Sequence, residues 1–277
     1  MKNSYLLLAA IFLILSCNSK DKEASQLLTI STPMDSILEH PEMDELPRDE
    51  KIKLLDSLTQ ILANGSNDTV SRSNIIQVAN HYFYLNEIDK YHDVSKQLVA
   101  MGDEANDTLD MARGYQYIGD YFTDRSIPDS SYFYFTKAEK LLAETDDREN
   151  FGRVKLKKGY LIYKINDLAS SEAIAIQALK IAHEVKDLTL EYECYNFLSS
   201  VLTAQNKYDE AIQYNEKALK TLDEFTDDPQ YFTLLKSQTY NSIGTVFMSK
   251  KEFKIAADHF KKGLEMPDLL TIHPAYY

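Results

Sequence analysis

The sequence predicts an all-α fold, a solenoid of tandem helix-turn-helix repeats of about 40 residues. Three observations predict it. A row of small residues, Ala79, Gly119, Gly159, Ser199 and Gly244, recurs at intervals of 40, 40, 40 and 45 residues. Apolar residues surround each member of that row at the three-and-four spacing of one helix face. The composition, 44% hydrophobic and 26% charged, supplies enough apolar material for a continuous core, and no Gly/Pro-rich linker divides the body of the chain.

Residues 1–17 read as an export signal, with Lys2 in a short leading region, an apolar run over residues 5–15, and then Ser16-Cys17. The 11 residues of the run are too few to span a bilayer as a helix. A small residue directly before cysteine, with Ile14 upstream, resembles a bacterial lipobox, although Leu15 is bulkier than the residues usual at that place. By that resemblance Cys17 receives lipid and the membrane is a partner through the N-terminus. Cys194, the only other cysteine, reads as a core thiol.

Residues 18–48 are polar, carry Pro33, Pro41 and Pro47, and read as a tether. Residues 49–64 place Ile52, Leu54, Leu55, Leu58, Ile61 and Leu62 at helical spacing before an Asn64-Gly65 stop, which predicts a capping helix.

Five repeats follow, over residues 72–105, 112–145, 152–185, 192–225 and 237–270. One residue before the small row stand Val78, Ile118, Lys158, Leu198 and Ile243; three after it stand Tyr82, Phe122, Ile162, Leu202 and Phe247. A small residue on a first helix lets the second helix approach, and stacked pairs share a core that a single pair cannot close. Aspartates at Asp68, Asp107, Asp147 and Asp227-Asp228 mark helix starts.

These offsets resemble the tetratricopeptide repeat. The match is tightest in Tyr195-x-x-Leu198-Ser199 with Tyr208, Ala211 and Ala218, and in Tyr240-x-x-Ile243-Gly244-x-x-Phe247 with Ala256 and Phe260. The resemblance implies a right-handed superhelix whose first helices line a concave groove for a protein or peptide. The third repeat diverges, since Lys155 and Lys158 stand where apolar residues are expected. Either their stems pass the seam or the helix rotates and Val154, Leu156 and Leu161 take over, and rotation is the favoured reading. Residues 271–277 end on Tyr276-Tyr277 where another first helix would begin, so the chain is expected to be the front of a longer array.

No phosphate-cradling glycine loop, HExxH pair, cysteine pair or nucleophile elbow occurs, so neither an enzyme nor a cofactor is expected. His40, His81, His92, His183, His259 and His273 are scattered and read as surface or seam residues rather than metal ligands. The acidic residues 102–110 lack the alternating ligands of a calcium loop. Tyr132, Phe133, Tyr134 and Phe135 share one helix, point around it and read as packing. A formal net charge of −13 repels phosphate backbones, which excludes nucleic acid as a partner of this segment.

By repeat position the groove-facing residues are Asn80, Tyr84, Gln116, Tyr117, Asp120, Arg153, Lys157, Tyr160, Lys164, Asn196, Asn241 and Thr245. Amides and phenols there suit peptide recognition, and exposed polarity alone is the plainer reading. Family members that capture a peptide carboxylate use an Asn with basic residues two repeats later. Asn80, Arg153 and Lys157 match that pattern, whereas Ile76 and Tyr117 depart from it. The function expected is a non-catalytic protein-binding scaffold exported to the bacterial cell envelope and lipid-anchored there. One alternative is the extracytoplasmic sensory region of a longer histidine kinase or transcriptional regulator. Another is an outer-membrane assembly or glycan-binding lipoprotein, the glycan version being weakened by the absence of Trp.

Overall fold

A computed structural model describes Leu38, Met43, residues 46–224 and residues 229–266. The export signal with Cys17, Asp227-Asp228 and the tail at 271–277 lie outside the described residues. All regular structure among the described residues is helical. From residue 48 onward the described helices run α1 (Arg48–Asn64), α2 (Thr69–Tyr84), α3 (Ile88–Ala105), α4 (Thr108–Asp124), α5 (Pro128–Leu142), α6 (Arg148–Lys164), α7 (Leu168–Val185), α8 (Leu188–Ala204), α9 (Tyr208–Leu222), α10 (Pro229–Ser249) and α11 (Phe253–Leu264). The chain divides into two compact bodies, residues 1–141 and 142–277. No described helix is long and apolar enough to cross a membrane.

Each helix pair is joined by one recurring turn. Seven residues after the small row stand Asn86, Ser126, Asn166, Asn206 and Lys251, all with φ between 55° and 63°, in the left-handed region. None is glycine. In every turn the next N–H reaches back to the carbonyl of Tyr82, Phe122, Ile162, Leu202 or Phe247, at 2.8 to 3.3 Å. The left-handed residue's own N–H bonds the residue three before it, for example Asn86 to Phe83 at 3.0 Å. These paired bonds satisfy carbonyls that a helix end otherwise strands, which fixes the angle at which the second helix leaves. Helix starts are capped by carboxylates on backbone N–H groups: Asp68 accepts from Ser71, Asp107 from Leu109 and Asp110, Asp147 from Asn150, Asp167 from Ser170, and Asp187 from Leu190.

In the first body Leu54, Leu55, Leu58 and Leu62 of α1 pack with Ile75, Val78, Ala79 and Tyr82 of α2 and with Tyr91, Val94, Leu98 and Met101 of α3. Leu38, Met43 and Leu46 belong to the same core. These three side chains of the expected tether are buried, and the Leu38 carbonyl lies 3.2 Å from His81 Nε2. Arg72 is 6% exposed yet charged, and it is held by Asp110 at 2.6 Å and Asp107 at 3.0 Å.

The seam beside the small row differs from repeat to repeat. A Cβ at Gly119 would meet the Phe135 ring, and one at Gly244 the Phe260 ring, so in these repeats the first helix receives an aromatic from its own partner helix. At the matching place the third repeat has Ala175. Gly159 is covered instead by Phe197 of α8, 2.9 Å from a Cβ built there, and by Ile174 of its own partner α7 at 3.3 Å.

Lys155 and Lys158 remain partly exposed on α6, while Leu156 and Leu161 are buried at 2% and 5%. The position of Leu161 is equally buried in the fourth and fifth repeats, as Val201 and Val246, so its burial needs no rotation, and Lys155 Nζ lies over the Phe151 ring at 4.8 Å. Burial of Val154 is no sign of rotation. Its position is buried in all five repeats, as Asn74, Gly114, Val154, Cys194 and Thr239.

Candidate functional site

Groove residues predicted for the first body fall on α2 and α4. The Tyr117 hydroxyl donates to Asn80 Oδ1 at 3.0 Å, so these two join successive first helices to each other. The Tyr117 ring also packs on Tyr91 with centroids 5.3 Å apart. Burial raises the pKa of both phenols, with Asp120 adding to each. Tyr84, at the last turn of α2, is 84% exposed. Gln116 does not face a groove. It is 9% exposed, because it lies on the stripe of Ala112 and Gly119 that turns inward.

In the second body the stripe Arg153, Lys157, Tyr160 and Lys164 runs along α6. Arg153 is already engaged: Nη2 is 2.6 Å from Asp187 and 3.3 Å from Glu149, and Nη1 is 3.9 Å from Glu193. With Asn80 held by Tyr117 and Arg153 by carboxylates, two members of the carboxylate-clamp pattern serve internal bonds. Lys164, Asn241 and Thr245 are exposed, and Thr245 Oγ1 donates to the Asn241 carbonyl at 2.9 Å.

A cavity of about 450 Å³ opens along α6, α8 and α10. It is lined by Tyr160 from α6, by Tyr192, Glu193, Asn196 and Ser200 from α8, and by Leu234, Leu235, Gln238 and Ser242 from α10. Glu193, Asn196 and Ser200 stand at i, i+3 and i+7, and Leu234, Gln238 and Ser242 at i, i+4 and i+8, so each set is one helix stripe. The buried Tyr192 hydroxyl donates to the Leu235 carbonyl at 3.0 Å and lies 3.2 Å from Thr239 Oγ1, which locks α8 to α10. The Tyr160 ring rests on Phe197 with centroids 4.0 Å apart.

Burial lifts the Glu193 carboxyl above its ordinary value, against the opposing pull of Arg153 and Lys157. Its side chain keeps 42% of its exposure, so water still screens it. Among the described residues no group of His, Cys, Asp and Glu is arranged to hold a metal ion. Cys194 is fully buried, and burial pushes its thiol above the usual range.

Of the predicted residues, Tyr160 and Asn196 line the cavity; the rest of its wall escaped the sequence reading. One signal was available. Glu193 and Gln238 occupy the repeat position of Arg153, six before the small row, and Ser200 that of Asn80 and Tyr160.

Residues 193–222 match the tetratricopeptide repeat family. The fold is shared with solved structures at low identity. BtubC (BKLC) from P. vanneervenii is 15% identical, with a TM-score of 0.66 over 83% of this chain and 92% of that one. The apo form of RapI is 13% identical, with a TM-score of 0.60 over 83% and 95%. A putative kinesin light chain with nearly identical TPR-like repeats from Podosopora anserina is 8% identical, with a TM-score of 0.56 over 77% and 97%. No curated protein matches the chain in sequence.

Proposed function

We propose that this chain is a non-catalytic protein-interaction array, and that the cavity along α6, α8 and α10 receives a peptide segment of its partner. The carrying observation is a space of about 450 Å³ walled by amide and hydroxyl side chains around apolar Leu234 and Leu235 and two tyrosines. Amides and hydroxyls pair with a peptide backbone, and phenol rings add contact area at small entropic cost. Glu193, Asn196 and Ser200 fall inside the stretch that matches the tetratricopeptide repeat. The test is an array of short peptides probed with the labelled chain, wild type against Ser242→Trp, which fills the cavity, and Ile176→Trp, an exposed residue of α7 that is not among the lining residues. Capture should be lost in the first variant and kept in the second; equal capture by all three would overturn the assignment.

We further propose that the chain resides in the bacterial cell envelope, anchored through lipid on Cys17. The apolar run over residues 5–15 followed by Ser16-Cys17 supports this. Wild-type chain should incorporate labelled fatty acid and sediment with membranes, whereas Cys17→Ser should do neither. Equal labelling of the two would refute the anchor.

A further inference from the structure

We infer that the cavity selects a segment in which lysine or arginine accompanies an apolar residue, the basic side chain meeting Glu193 and the apolar one Leu234, which is partly exposed beside the buried Leu235. This rests on the peptide-binding reading of the cavity and names its preferred ligand. Glu193 carries the only formal charge among the lining residues at neutral pH. Asn196, Ser200, Gln238 and Ser242 are neutral donors and acceptors, able to pair with any peptide backbone and therefore indifferent to its side chains. Discrimination falls to the carboxylate and to Leu234.

The neighbours of Glu193 leave it able to accept a further cation. Arg153 approaches from α6 at 3.9 Å, beyond hydrogen-bonding distance, because the same guanidinium is drawn to Asp187 at 2.6 Å and Glu149 at 3.3 Å. Lys157 acts on the carboxylate electrostatically from the same helix. The three carboxylates Glu149, Asp187 and Glu193 thus share the one Arg153 guanidinium. Burial disfavours the charged form of Glu193, and an arriving cation would relieve that cost more effectively than an arriving anion. A formal net charge of −13 also draws basic partners and repels acidic ones during approach.

The experiment screens the full chain against a positional-scanning library of short N-acetylated, C-amidated peptides, with Glu193→Gln, Glu193→Lys and Ser242→Trp alongside. Circular dichroism first confirms native helicity in each variant. Wild type should enrich Lys and Arg over Asp and Glu by about tenfold in at least one position, the size of a single close charge pair in a groove. Glu193→Gln should flatten that preference while still capturing peptides, and Glu193→Lys should reverse it. Capture without a basic preference, or a preference that survives Glu193→Gln, overturns this inference and leaves the peptide-binding reading standing. No capture by wild type, or capture unchanged by Ser242→Trp, removes both. The wild-type preference is read without any variant, so a misfolded substitution does not blunt the test.

Discussion

Phe135 packs its ring onto the backbone of Gly119, so closely that a Cβ on Gly119 would stand 2.5 Å from two ring carbons. In an open helix, Gly→Ala gains about 1 kcal/mol from the helical preference of alanine. Here the gain meets a ring that is 2% exposed and has nowhere to go, and overpacking of that kind costs about 1–3 kcal/mol. Gly119→Ala is therefore expected to lower the urea midpoint, and adding Phe135→Leu should recover part of the loss. Gly244→Ala should stay nearer to wild type, since its partner Phe260 is partly exposed and able to shift. A Gly119→Ala protein more stable than wild type would contradict the seam described above.

The left-handed turn residues offer a change of opposite sign. An L side chain in that conformation costs about 1–2 kcal/mol, which Asn tolerates better than Ser or Lys. Ser126 and Lys251 are exposed and adopt φ of 56° and 63°. Ser126→Gly and Lys251→Gly should each raise stability by about 0.5–1 kcal/mol, after the entropic cost of glycine. Asn86→Gly should gain less. Thermal melts of the three single variants would rank them.

Asn215 is fully buried on α9 with neither amide atom paired among the described residues, and Ser199 Oγ on α8 is likewise unpaired. They hold the repeat positions of Phe135 and Gly119. A buried polar group without a partner costs about 1–3 kcal/mol, so Asn215→Val is expected to stabilise the fold where most core substitutions weaken it. Chemical denaturation should show a higher midpoint at unchanged slope.

Acid should loosen the helix starts. The Asp68 carboxyl is held below the ordinary aspartate range chiefly because the Ser71 N–H bonds it, with the Ser66 hydroxyl assisting. A depressed carboxyl contributes stability above its unfolded value and loses it as the pH falls through the folded one, so the loss falls below about pH 4. Asn caps a helix as well as Asp but does not titrate. Asp68→Asn should therefore match wild type at neutral pH and show a shallower decline below pH 4, which denaturation at stepped pH would reveal.

The row of small residues was legible because it repeats, and repetition turns weak positional preferences into a register. The turns were less visible, since Asn86, Ser126, Asn166, Asn206 and Lys251 include no glycine to announce a left-handed residue; alignment on the small row would have exposed them. Leu38, Met43 and Leu46 were hidden among prolines and acids, where three apolar residues gave too short a pattern. The groove was read from position alone, which placed Tyr160 and Asn196 on the cavity wall but could not show that Gln116 turns inward or that Arg153 is occupied by carboxylates. Those facts depend on neighbours far away in sequence.

Phe197 over Gly159 carries a consequence for how such a chain can change over generations. Repeat proteins lengthen and shorten by copying or losing whole modules, and a module is exchangeable only when it closes its own seam. The second and fifth repeats do so, with Phe135 on Gly119 and Phe260 on Gly244. The third relies on an aromatic carried by the fourth, so the two are inherited as a pair. A duplication or deletion whose boundary fell between α7 and α8 would leave Gly159 with Ile174 as its cover and no aromatic, or Phe197 stranded. Lineages related to this chain should therefore vary their repeat number elsewhere.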